Sequence, residues 1–110
     1  MNSDTNRLLL EYEQLLKTIN REIINPEINV LSLDDLRPIA GLVARARANY
    51  LKRLYEIAKT HDDSKTLPND SEIKELKQLR GVFLELVEGS KSIETAIQRG
   101  YLDINGKMVS

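Results

Sequence analysis

Seven residues between Leu76 and Ile97 set the terms for this chain. Leu76, Leu79, Phe83, Leu86, Ser90, Ile93 and Ile97 recur at alternating steps of three and four. An α-helix returns such positions to one side, whereas a strand alternates every two residues. The spacing predicts a helix over about 71–99 carrying a bundle or coiled-coil seam. Asn69, Asp70 or Ser71 supplies its cap, and Gly100 its stop. Asp70, Glu72 and Glu75 stand near the positive end of its macrodipole. Ser90 beside Gly89 marks a place where this helix is expected to bend or split.

Two further segments share the period. In the first, about 4–24, Leu8, Tyr12, Leu15, Leu16, Ile19 and Ile23 fall on one face, with Leu10 and Ile24 off it. Asn2, Ser3 and Asp4 are its capping candidates, and Asn25-Pro26 ends it because the residue before proline avoids helical backbone. The second, about 35–60, is capped by Ser32 or Asp34. With Asp34 as cap, Pro38 sits in the first turn, where a missing N–H costs little. Ile28, Val30 and Leu31 make the first connector apolar, so it is expected to be pinned to the core. The second connector, "HDDSKTLPND", is polar. In the tail, about 100–110, Asn105-Gly106 between two short apolar runs is a hairpin signal.

The 110 residues fit one domain. The expected fold is all-α: an antiparallel three-helix up-down-up bundle with a short C-terminal β-hairpin or an extended tail. Three long helices from so short a chain make a slender core, which a second subunit would complete.

Composition narrows function by exclusion. The chain has no Cys, which removes disulfides, thiolate zinc sites and cysteine nucleophiles. Its net charge of -1 gives no global pull onto DNA or an anionic membrane, and aromatic residues, at 5%, offer few stacking platforms for bases. No apolar run is long enough to span a bilayer, and the N-terminus lacks a signal-peptide core. A soluble, cytoplasmic protein with no membrane partner is expected. The single His61, followed by Asp62 and Asp63, lies in the polar connector without a second His; a metal site is not expected there. The five glycines are scattered, and no nucleophile–base–oxyanion set emerges, so no catalytic, cofactor or metal residues are assigned.

The most suggestive stretch is "VARARANYLKRLYEIAK", residues 43–59, with five of the sixteen Lys and Arg residues. Over 34–60 the net charge is +3, against -1 over 4–24. On a helical wheel, Arg45, Lys52 and Lys59 form a mild solvent stripe that Glu56 interrupts. Arg47 instead falls in the middle of the apolar arc, at about 20° from Leu36. A charge at that position calls for a carboxylate, with Glu11, Glu22 and Glu94 as candidates, or for a stem that snorkels to the edge. Ala40, Gly41, Ala44, Ala46 and Ala48 gather nearby and permit close helix approach.

These patterns lead to a non-enzymatic helical protein–protein interaction module: an adaptor, chaperone-like or assembly subunit, self-associating as a homodimer or binding another protein. Its driving surface would be leftover apolar area on the first and third helices plus the C-terminal hairpin. Interface candidates are Arg47, Leu76, Leu79, Phe83, Leu86, Tyr101 and Ile104. The alternative is nucleic-acid binding through Arg45, Lys52, Arg53 and Lys59.

Overall fold

The computed structural model describes residues 2–28 and 30–105. Three helices carry the fold: α1 (Ser3–Ile24), α2 (Leu33–Asp62) and α3 (Asp70–Gln98), with a 3-10 turn at Asn25–Glu27 after α1. The bounds lie within two residues of those read from periodicity.

Each helix starts where a side chain can satisfy its orphan N–H groups. The Asn2 Oδ1 accepts from the Thr5 N–H at 2.9 Å. At α2, the Asp35 carboxylate accepts from the Ser32 N–H at 2.8 Å, and the Ser32 Oγ accepts in return from the Asp35 N–H at 3.4 Å. At α3, the Asn69 Oδ1 accepts from the Glu72 N–H at 2.8 Å, and the Glu72 carboxylate accepts from the Asn69 N–H at 2.9 Å. Both are reciprocal capping boxes. Ser32 rather than Asp34 is therefore the α2 cap. Pro38 consequently lies in the second turn, not the first, where its missing N–H interrupts the ladder.

The ends of α2 and α3 share one device. Gly100 has φ 74°. The Tyr101 N–H reaches back to the Ala96 carbonyl at 2.9 Å, and the Gly100 N–H to the Ile97 carbonyl at 3.2 Å. This closes the last turn of α3 as a Schellman motif. The same pair of bonds closes α2, from Thr66 to His61 at 3.4 Å and from Lys65 to Asp62 at 3.3 Å. Here the left-handed position is held by Lys65, with φ 56°.

The chain forms two compact units. One joins the chain up to Leu36 with the chain from Ser92 onward; the other is Arg37–Lys91. In the second unit α2 and α3 are an antiparallel pair. Contacts Arg47–Phe83, Arg53–Glu75 and His61–Glu72 climb α2 as they descend α3. On α3 the protected positions include Glu72, Leu76, Leu79, Phe83, Leu86 and Ser90, which follow the heptad of the sequence. On α2 they include Ile39, Val43, Ala46, Tyr50, Arg53 and Ile57, again at steps of three and four. Ala46 and Ile57 are buried outright, and Ala46 alone of the clustered small residues is so covered. α3 continues as one helix through Gly89 and Ser90, so of the bend or split expected there the split does not occur.

In the first unit Ala96 and Leu102 are buried. The tail is extended and pairs with the first connector through an isolated parallel bridge, Leu31–Ile104. The Leu31 N–H donates to the Asp103 carbonyl at 3.1 Å, and the Asn105 N–H to the Leu31 carbonyl at 2.7 Å. Residues 106–110, on which the Asn-Gly hairpin would depend, lie outside the described residues.

Ile57 is 1% exposed. Ile57→Ala is expected to cost about 2–5 kcal/mol, read as a lowered urea midpoint with an unchanged m-value. The two left-handed positions should respond in opposite directions. Gly100→Ala is expected to destabilise, and Lys65→Gly to stabilise, each on the order of 1 kcal/mol by thermal melts, because only glycine adopts that backbone without steric cost.

Candidate functional site

Two kinds of surface are candidates for function: apolar helix faces with nothing over them, and groups of charged side chains. Beginning with the apolar ones, α1 has no buried residue. Its Leu8, Tyr12, Leu15 and Ile19 are between 43% and 65% exposed, and Ile23 is as open as Leu8. Leu16, Asn20 and Ile24, on the adjoining face, are half-buried. Among the described residues of its own unit, α1 is thus covered along one flank and open along its main apolar face. In residues 37–91, Leu51 and Leu54 of α2 are also exposed, beside the strip that meets α3.

The interface candidates fall in three places. Leu76, Leu79, Phe83 and Leu86 are half-buried along the α3 side of the hairpin. Tyr101 is half-buried, while Ile104 is exposed on the tail bridge. Arg47 is exposed, and its guanidinium lies over the Phe83 ring, 5.1 Å from the centroid. Among the described residues no carboxylate pairs with it, so of the two expectations the ion pair fails and the stem that reaches the edge remains. A planar guanidinium at the rim of a seam gains from a ring face without leaving water, which relieves it of any need for a buried acid.

The cation inside the seam is Arg53. Its Nε donates to the Glu75 carboxylate at 2.8 Å, and Glu56 stands 3.7 Å from its Nη1. With 30% of its side chain exposed, Arg53 is held at the helix–helix boundary rather than presented to a ligand. The hydrogen bond it donates to Glu75, and the nearby carboxylates, raise its pKa further. Of the other cations proposed for phosphate contact, Lys59 lies over the Tyr55 ring at 5.4 Å. Arg45 and Lys52 are exposed, the guanidinium of Arg45 folding back over Gly41.

Two polar clusters escaped the sequence reading. The first surrounds His61. Its Nε2 meets the Glu72 carboxylate at 2.8 Å, and its Nδ1 meets the Thr66 hydroxyl at 2.6 Å, with Ser64 2.8 Å from the same hydroxyl. Because the carboxylate only accepts, Nε2 carries the proton. His61 therefore fastens the end of α2 to the cap of α3. Its Asp62 and Asp63 neighbours take no part, and no group of three or more His, Cys, Asp or Glu suited to a metal ion occurs among the described residues. The signal available beforehand was the N-x-x-E capping pattern eight residues downstream.

The second cluster centres on Asp103. Its carboxylate accepts from Arg21 and from the Asn25 side chain, the latter at 3.3 Å, while its N–H donates to the Asn25 Oδ1 at 2.9 Å. Arg21 also donates to the Gly100 carbonyl at 3.1 Å. An open groove of about 460 Å³ runs alongside Lys17, Arg21, Glu22 and Asn25. Two of its polar side chains, Arg21 and Asn25, are already engaged by Asp103. No local sequence pattern joins residues 78 to 82 apart.

No protein-family model, curated protein or solved structure matches this chain.

The clusters fix the acid response. The Asn69 N–H and then His61 hold the Glu72 pKa below its ordinary 4.5, and Arg21 and then Asn25 hold Asp103 below 3.8. A depressed carboxylate contributes stability that is present above its unfolded pKa and lost as pH falls through the folded value. Melting temperature is expected to fall on acidification below pH 4.5, and Glu72→Gln or Asp103→Asn is expected to flatten that limb while lowering the plateau at neutral pH.

Proposed function

We propose that this protein is a non-enzymatic helical interaction module that self-associates. The observation that carries the proposal is the α1 face: five large apolar side chains at helical spacing, Leu8, Tyr12, Leu15, Ile19 and Ile23, none buried. Scattered exposed leucines are ordinary, but a continuous apolar stripe along a 22-residue helix is the form of a surface that seeks a partner. The source of the surface differs from the one suggested by periodicity. α3 contributes little to it, since its heptad is turned toward α2, and α1 contributes most.

The charged clusters join helix to helix or tail to helix, and each has a structural partner within its own unit. Nucleic-acid binding keeps less support. Of its four cations, Arg53 is ion-paired and Lys59 lies over a ring, which leaves Arg45 and Lys52. Two lysine or arginine side chains make a weak and strongly salt-dependent phosphate contact.

Sedimentation equilibrium tests the proposal. The protein is expected to sediment above its 12.6 kDa chain mass at micromolar concentration. Leu15→Glu combined with Ile19→Glu is expected to shift it at least tenfold toward monomer while far-UV dichroism stays helical. A wild-type monomer at 100 micromolar would rule out self-association.

A further inference from the structure

α2 carries a second strip that α3 does not use. Ala44, Ala48, Leu51, Tyr55 and Ala58 recur at steps of four, three, four and three, and all are exposed. This is the a/d pattern of a heptad, roughly 140° round the helix from the α3 seam at 100° per residue. From Ala44 to Ala58 it runs about 21 Å at 1.5 Å per residue. Leu51 and Tyr55 are 52% and 64% exposed, and an open groove of about 330 Å³ lies beside Tyr55, Ala58, Lys59 and Asp62.

Charge limits what can cover this strip. In the same register the e positions are Arg45, Lys52 and Lys59, and the g positions beside them are Arg47 and Leu54. The four cations are exposed, and among the described residues none is paired with a carboxylate. Glu56 stands at a b position, where Arg53 holds it at 3.7 Å. The edges of the strip are thus basic, with no acid at e or g between residues 44 and 59.

We infer that this strip docks an amphipathic helix of another protein, one with Glu or Asp along its edges. Residues at e and g meet across a two-helix seam, and their charges choose the partner. A second copy of the same strip is disfavoured in both directions. In a parallel pair Arg47 faces Lys52 of the copy, and in an antiparallel pair the two e columns face each other. A phosphate backbone would satisfy the cations without covering Leu51 or Leu54. A bilayer gains little from a strip in which three of five residues are alanine, because anchoring scales with the apolar area inserted. A helix gains from those same short side chains, which let its backbone approach. The inference does not draw on self-association through α1.

Fluorescence anisotropy with the full chain tests it. The probe is a labelled designed peptide of roughly three heptads, with Leu and Ala at a and d and Glu at every e and g. A twin peptide carries Lys at every e and g. The Glu peptide is expected to bind at least tenfold more tightly than its twin. Lys52→Glu combined with Lys59→Glu is expected to reverse that preference while far-UV dichroism stays helical, and Leu51→Glu to weaken the Glu peptide at least tenfold. Equal binding of the twins, or no binding of the Glu peptide at 100 micromolar, would overturn the inference. Binding that these substitutions leave unchanged would put the peptide on another face, with the same consequence. Capture of phosphatidylserine vesicles or a DNA duplex through Lys52 and Lys59, without the Glu peptide, would assign the strip to a membrane or a nucleic acid and overturn it too.

Discussion

The seam of α2 on α3 takes one strip of α2 and leaves another, and much of the surface chemistry follows from that division. α2 has an apolar arc too wide for one neighbour. Ile39, Val43, Ala46, Tyr50 and Ile57 turn toward α3, while Leu51 and Leu54 remain outside. Interhelical packing accepts side chains only along a narrow row of knobs and holes. Once that row is chosen, every side chain on α2 is assigned to inside, rim or water. Arg53 is drawn to the boundary and paired with Glu75. Arg47 is placed at the rim over Phe83. Lys52 is left in solvent.

Charges here fasten backbone elements to one another. His61 holds the cap residue Glu72, so the polar connector between α2 and α3 is braced at both ends. Asp103 gathers Arg21 and Asn25 from the other end of the chain and presents its carbonyl to the Leu31 N–H. Each exposed pair of this kind contributes little alone, but several bonds meeting at one carboxylate fix geometry.

How much was legible beforehand depends on the range of the interaction. Helix bounds, Asn2, Ser32 and Asn69 as capping candidates and Gly100 as a stop are local matters, set by residues within one turn of each other. The α3 heptad was legible for the same reason. For Arg47 the wheel left an ion pair and a stem reaching the edge both open, because it reports only the middle of an apolar arc. When the arc is wider than one seam, its middle is the border between the covered strip and the open one. Arg53, at the edge of the arc, looked like a solvent cation until α3 lay against it.

The sequence by itself determined an all-α chain of three helices, their ends and the seam face of α3, because periodicity and capping are settled by neighbours along the chain. The tertiary structure decided which side of α2 meets α3, that His61 and Asp103 are tethers, that the tail runs parallel to Leu31 and that α1's main face stays uncovered. Those outcomes depend on contacts between residues distant in sequence. Their cost in chain entropy and gain in burial are weighed only when the helices pack.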